Sequence, residues 1–221
     1  MSKIKTVGIV GTGVIGTGWI IRNLAHNKII HAYDQNKNLK NYVLKEIKRT
    51  SKSIKKLFGK KILIKNLKFF NSLEKALTNV DFVQESVLEN YKVKTDLIQK
   101  ISKYVKSNVI ISSSSSGLLP SKIFSKSKNP QRGIIGHPFN PAYLLPAVEI
   151  VPGKKTTKKF LLEANKYYKS ISMKPIMLKK ELPGYLSDRL QEALWREGLH
   201  IINENYATTQ ELDRAIEDGP G

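Results

Sequence analysis

The 221-residue chain contains no cysteine, which excludes disulfide bonds, thiolate nucleophiles and cysteine metal sites. That lack is compatible with a reducing compartment, and a cytoplasmic address is expected. No apolar run approaches the roughly 20 residues that a membrane-spanning helix requires. The first apolar segment leads into a glycine turn rather than a small-residue cleavage site. Acids are scarce: 18 Asp and Glu stand against 38 Lys and Arg, a formal charge of +20. A charge of that size raises nucleic acid or an anionic membrane as a partner. The basic residues are scattered along helical segments, however, as at Lys45, Lys48, Arg49, Lys52, Lys55 and Lys56, in the manner of a solvated surface. Neither partner is therefore expected, although such a charge can steer an anionic ligand inward. Metal-ligand spacings, a G-x-S-x-G elbow and a Walker loop are also missing, and no metal site is expected.

What is present begins with a strand, Ile4 to Val10, followed by Gly11-Thr12-Gly13-Val14-Ile15-Gly16 and an amphipathic stretch from Thr17 to Lys28. Each part meets a demand of a bound dinucleotide. Gly11 permits the tight turn, Gly13 lets the backbone approach a pyrophosphate, and Gly16 lets the helix pack on its strand. The first-turn N–H groups, with Val14 and Ile15 among them, face an anion together with the positive end of the helix dipole. Asp34 ends the next apolar run, His31-Ala32-Tyr33, and is placed to accept from ribose hydroxyls. Its charge opposes a 2′-phosphate and so favours NAD over NADP; Lys37 nearby acts in the other direction.

Apolar segments then alternate with helical ones. Strands are expected at Ile29 to Tyr33, Leu67 to Phe70, Asp81 to Glu85, Val109 to Ser112, Gly133 to Gly136, Val148 to Val151 and Pro175 to Leu178. Helices are expected from about Asn38 to Phe58, with Leu39, Val43, Ile47, Ile54 and Leu57 on the apolar side, from Tyr91 to Val105 and from Thr157 to Ser170. This is the α/β pattern of a Rossmann-type, doubly wound, mostly parallel sheet, with its ligand crevice at the carboxyl ends of the strands. Pro183-Gly184 breaks the pattern. After it a long helix is expected from Tyr185 to Asn205, with Leu186, Leu190, Ala193, Leu194 and Ile201 inward, and then a short one capped by Thr209. The reading is a dinucleotide-binding domain over 1–182 and the start of an all-helical domain over 183–221, either docked on the first or incomplete, because two helices enclose no core of their own.

Four histidines occur, at 26, 31, 137 and 200. His137 ends a strand and precedes Pro138-Phe139-Asn140-Pro141, on the crevice side, where a neutral imidazole can take a proton from a substrate hydroxyl. A base of this kind needs a partner to fix its tautomer. Glu149 is an acid inside an otherwise apolar strand, where an unpaired charge is expensive, so it too calls for a partner. The run Ser112 to Ser116 follows another strand and offers hydroxyls to a substrate oxygen, although composition does not say which serine acts.

Taken together, these segments resemble the 3-hydroxyacyl-CoA dehydrogenase superfamily, and within it the branch that oxidises L-carnitine. The resemblance is carried by Gln84 to Glu89, Ser115 to Ser121, His137 to Pro146 and above all Asp188 to Glu197. It implies an NAD-dependent oxidation of a 3-hydroxy group, with His137 as general base, Glu149 as its orienting acid and Ser116 as the hydroxyl that binds the substrate oxygen. It also implies Glu89, Lys94 and Asn140 at the nicotinamide side. Where acyl-CoA members carry asparagine this chain has Asp188, which suits a cationic substrate, and Phe139, Tyr143 and Tyr185 are expected to offer ring faces to a trimethylammonium group. L-Gulonate and 3-hydroxyacyl-CoA are the alternative substrates, and a nucleotide-binding scaffold without catalysis is the non-enzymatic alternative. Members continue with further helices that form a dimer, so a homodimer is expected if the helical domain is complete, and the chain reads as cut short.

Overall fold

A computed structural model describes residues 4–219, which divide into two compact units, one up to Pro183 and one from Gly184 on. The first unit opens with β1 (Thr6–Val10), α1 (Val14–Ala25), β2 (Ile29–Tyr33), α2 (Leu39–Phe58), β3 (Leu67–Phe70), α3 (Leu73–Leu77) and β4 (Phe82–Glu85). It continues with α4 (Tyr91–Tyr104), β5 (Ile110–Ser113), the short α5 (Pro120–Ile123), β6 (Gly133–Pro138), β7 (Ala147–Pro152), α6 (Lys158–Ser170) and β8 (Lys174–Met177). The strands form one sheet in the order β3-β2-β1-β4-β5-β6-β7-β8. All neighbours are parallel except β6 and β7. The order reverses between β1 and β4, which opens the crevice of a doubly wound sheet at their carboxyl ends.

Helices cover both faces, so the central strands are apolar without alternation: Val7, Ile9, Phe82, Val83, Ile110, Ile111, Ile134 and Ile135 are all buried. Trp19, Ile20 and Leu24 of α1 pack with Tyr167 and Tyr168 of α6 in the same core. The Phe82 ring lies 4.1 Å from that of Tyr167. Each such side chain contributes about 1.5–3 kcal/mol through burial. Two glycines are dictated by close approach. A Cβ on Gly16 would sit 1.9 Å from the Gly11 carbonyl oxygen, and one on Gly136 would sit 1.8 Å from the Tyr168 hydroxyl.

Three expectations need correction. α1 begins at Val14, inside the glycine turn, rather than at Thr17. Leu57 is exposed, because the apolar side of α2 rotates on to the half-buried Phe58. In the second unit, α7 (Ser187–Asn203) and α8 (Thr209–Glu217) follow one another, and Leu186, Leu190, Ala193 and Leu194 are exposed, with only Ile201 half-buried. A pair of helices has one seam, where Gly198 approaches Leu212, and apolar residues off that seam meet solvent. Thr208, not Thr209, caps α8: its hydroxyl accepts from the Glu211 amide at 3.3 Å while the Glu211 carboxylate accepts from the Thr208 amide at 2.8 Å.

Candidate active site

The glycine turn and the crevice fit a dinucleotide on three counts. Gly11 has φ +89° and its position is crowded by the Ser86 carbonyl, whereas the space over Gly13 is open. No side chain caps α1 and no acid stands in its first turn, so the positive end of the helix is left open to an anion. Asp34 accepts from the Thr12 amide at 2.6 Å and from the Asn36 amide at 2.9 Å. A carboxylate has roughly four lone-pair positions, so capacity for ribose hydroxyls is left. These groups line a cleft of about 510 Å³, closed on its apolar side by Leu39, Val87 and Leu97. Val14 and Ile15 begin α1, on the helical side of the same turn.

His137 and Glu149 meet because β6 and β7 are the one antiparallel pair. Their register sets the two residues opposite each other, and opposed side chains emerge on the same face. His137 Nδ1 lies 2.9 Å from Glu149 Oε2. Both residues are buried, Glu149 completely. An ionised carboxylate only accepts, so the imidazole donates from Nδ1 and its neutral form carries the lone pair on Nε2. The Phe139 ring stands 5.5 Å from the imidazole.

The serine run splits by role. Ser112 to Ser115 are buried, and only Ser116 is exposed, in the turn after β5. That turn is held by Glu89, whose Oε1 accepts from the Ser115 hydroxyl at 2.5 Å, the Ser116 amide at 3.0 Å and the Gly117 amide at 3.3 Å. Burial raises the Glu89 pKa, but the Ser115 bond, the Lys94 charge and the two amides outweigh it and hold the carboxyl below its ordinary value. Asn90 caps α4 by accepting from the Val93 amide, which brings the next residue, Lys94, round to the sheet. The Lys94 ammonium, buried, reaches Glu85 at 2.8 Å, the Val87 carbonyl at 3.0 Å and Glu89 at 3.4 Å. Those partners match its three protons. Glu85, fully buried, also accepts from Ser113 at 2.5 Å and the Val87 amide at 2.6 Å.

Asn140 lies beside α1 and α2 with Pro141 and Tyr143. The Tyr143 hydroxyl faces Arg49 of α2 at 3.5 Å, so this ring is turned to a guanidinium, while Phe139 is the ring beside the imidazole. Asp188, in the first turn of α7, and Tyr185 belong to the second unit.

Sequence reasoning passed over Arg22. It is buried in α1 and donates to the carbonyls of Ala142 at 3.1 Å, Leu145 at 2.9 Å and Ser172 at 3.5 Å, so it ties down the segment after His137. Burial brings its pKa down to about 10, which leaves it charged at neutral pH. The signal was its position three residues after Trp19, on the buried side of the helix. Glu85 was passed over too, although the argument used for Glu149 applies to an acid that ends Phe82-Val83-Gln84.

The 3-hydroxyacyl-CoA dehydrogenase NAD-binding domain profile matches residues 6–182. L-Carnitine dehydrogenase of Oceanobacillus iheyensis is 43% identical over 219 residues, covering 99% of this chain and 71% of that protein. L-Carnitine dehydrogenase of Pseudomonas putida is 42% identical over 222 residues, covering 100% and 69% respectively. Among solved structures, a 3-hydroxybutyryl-CoA dehydrogenase from Escherichia coli K12 matches with a TM-score of 0.90 at 24% identity, over 99% of this chain and 47% of that one. At that identity the likeness is one of fold.

Proposed function

Because this chain belongs to the 3-hydroxyacyl-CoA dehydrogenase family and is an NAD-dependent oxidoreductase, we propose that it oxidises L-carnitine to 3-dehydrocarnitine. Bound NAD⁺ supplies the hydride acceptor. His137 takes the proton of the substrate hydroxyl on Nε2, and the charge that forms on the imidazole is balanced by Glu149 through Nδ1. Ser116 bonds the substrate oxygen, and Glu89, itself held by Lys94, keeps the backbone of that turn in place. Lys94 and Glu89 act at the nicotinamide side in this reading, as does Asn140. Gly11, Gly13, Val14, Ile15, Gly16 and Asp34 hold the dinucleotide. The observation that carries the proposal is the buried His137–Glu149 pair at 2.9 Å.

Asp188 is the residue proposed to favour a cationic substrate over an acyl-CoA, with Phe139, Tyr143 and Tyr185 as the candidate rings. The protein is proposed to work in the cytoplasm as a homodimer, which light scattering tests; among the described residues no helix is long and apolar enough to cross a membrane.

The test is NADH formation followed by absorbance with L-carnitine, L-gulonate and 3-hydroxybutyryl-CoA in turn. Carnitine is expected to give the highest kcat/KM. His137→Gln is expected to lower kcat by about 10²- to 10⁴-fold. Asp188→Asn is expected to raise KM for carnitine more than it lowers kcat. Turnover of gulonate or the acyl-CoA in preference to carnitine would reassign the substrate, and NAD⁺ binding without turnover of any would leave the scaffold reading standing.

A further inference from the structure

Beside the glycine turn, hydrogen-bond accounting fixes the direction of a serine hydroxyl that the reading above does not use. Ser114 Oγ has three neighbours: Trp19 Nε1 at 3.0 Å, Gln84 Nε2 at 2.7 Å and Ser86 Oγ at 2.8 Å. The indole N–H only donates. The orientation of the Gln84 amide is set from two sides. Its nitrogen faces the Gly136 carbonyl at 3.3 Å, where a carbonyl oxygen would be repelled, and its oxygen accepts from the Tyr168 hydroxyl at 2.7 Å. Two N–H groups therefore occupy both lone pairs of Ser114 Oγ. Its single proton has only Ser86 Oγ to go to.

Ser86 is thus an acceptor towards Ser114, and its own proton has no acceptor among the described residues. Ser86 is half-buried at the carboxyl end of β4, with its amide bonded to the Val10 carbonyl at 2.8 Å and its carbonyl against Gly11. It lines the 510 Å³ cleft together with Gly11, Gly13 and Asp34. We propose that Ser86 is a cofactor-binding residue, a pre-set donor to an oxygen of the pyrophosphate–ribose backbone of the dinucleotide. The buried chain of Trp19, Gln84 and Ser114 turns that proton away from Ser114 and leaves it to the cleft side, so that less rotor freedom is lost when the ligand arrives. An oxygen rather than a nitrogen or an apolar group is the fitting partner, because Ser86 has a proton to give and sits next to the turn whose amides face an anion.

The inference concerns the cofactor alone and does not depend on the substrate. Calorimetric titration of the full chain with NAD⁺, ADP-ribose and AMP tests it without turnover. Ser86→Ala is expected to weaken NAD⁺ and ADP-ribose by about 5- to 20-fold, with AMP weakened alike if the oxygen is on its phosphate or ribose and unchanged if it is on the second phosphate or ribose, and the melting temperature is expected to fall because the Ser114 proton loses its acceptor. Ser86→Thr, which keeps the hydroxyl, is expected to restore most of the affinity. Trp19→Phe frees a lone pair on Ser114, so it too is expected to weaken NAD⁺, and the loss caused by Ser86→Ala is expected to be smaller in that background. Unchanged affinity in Ser86→Ala overturns the proposal. So does a loss confined to NAD⁺, which moves the contact to the nicotinamide, and so does a loss that Ser86→Thr fails to recover, which marks a general structural effect.

Discussion

Two polar networks lie under the same crevice on opposite faces of the sheet, and they are built from adjacent residues. Gln84 pairs in register with Ser112, and Glu85 with Ser113. Successive residues of a strand point to opposite faces, so one step along the chain separates the two. On the α6 side, Gln84, Ser112, Ser114, Trp19 and Tyr168 are all neutral and all hydrogen-bonded. On the α4 side, Glu85, Lys94 and Glu89 carry charge, with Ser113 and Ser115 attached. The neutral network points one proton, and the charged one grips a backbone turn. A hydroxyl chain has direction but little holding power, whereas an ion pair out of water holds hard because separating it strands a charge.

The largest effect should come from breaking the charged side. Lys94→Met leaves the buried Glu85 carboxyl without its cation, and is expected to cost about 3–5 kcal/mol in urea denaturation. On the neutral side, Tyr168→Phe leaves Gln84 Oε1 without its donor and is expected to cost about 1–3 kcal/mol by the same measurement. Equal losses in the two variants would erase the contrast.

Smaller, and opposite in sign, are the pH effects. The Glu89 carboxyl is depressed in the native state, so the stability it supplies is full above its unfolded value of about 4.3 and drains as pH falls through the lower native value. Tyr168 is raised, burial being the main cause against the Ser112 bond, so its contribution is full below the unfolded value of about 10 and is lost as pH rises towards the higher native one. Melting temperatures against pH should therefore flatten at the acid edge in Glu89→Gln and at the alkaline edge in Tyr168→Phe. A variant that flattens the opposite edge would show that the networks are not separable.

Much of this was legible in the chain because the demands were local. The glycine turn, the acid ending the second strand and the alternation of apolar and helical segments each depend on residues close in sequence, and they led to the doubly wound sheet. Glu149 stood out because a carboxylate in an apolar strand must be paired, and His137 was the one histidine ending a strand at the crevice. What escaped depends on partners distant in sequence. Trp19, Gln84, Ser114 and Tyr168 come from four elements, and none of them alone signals a network. Arg22 reads as a solvated face until the carbonyls of Ala142 and Leu145 are brought to it. The α7 leucines show the reverse error: their spacing is that of a buried stripe, but spacing does not say that anything covers it.

Arg22 has a practical consequence for engineering. The helix that begins at the glycine turn also carries the guanidinium that moors the Ala142–Leu145 stretch, so the segment following the imidazole is not a portable cassette. Transplanting it into another scaffold without that helix would leave two carbonyls without their tether, and the smallest exchangeable part is the loop together with the helix beneath it.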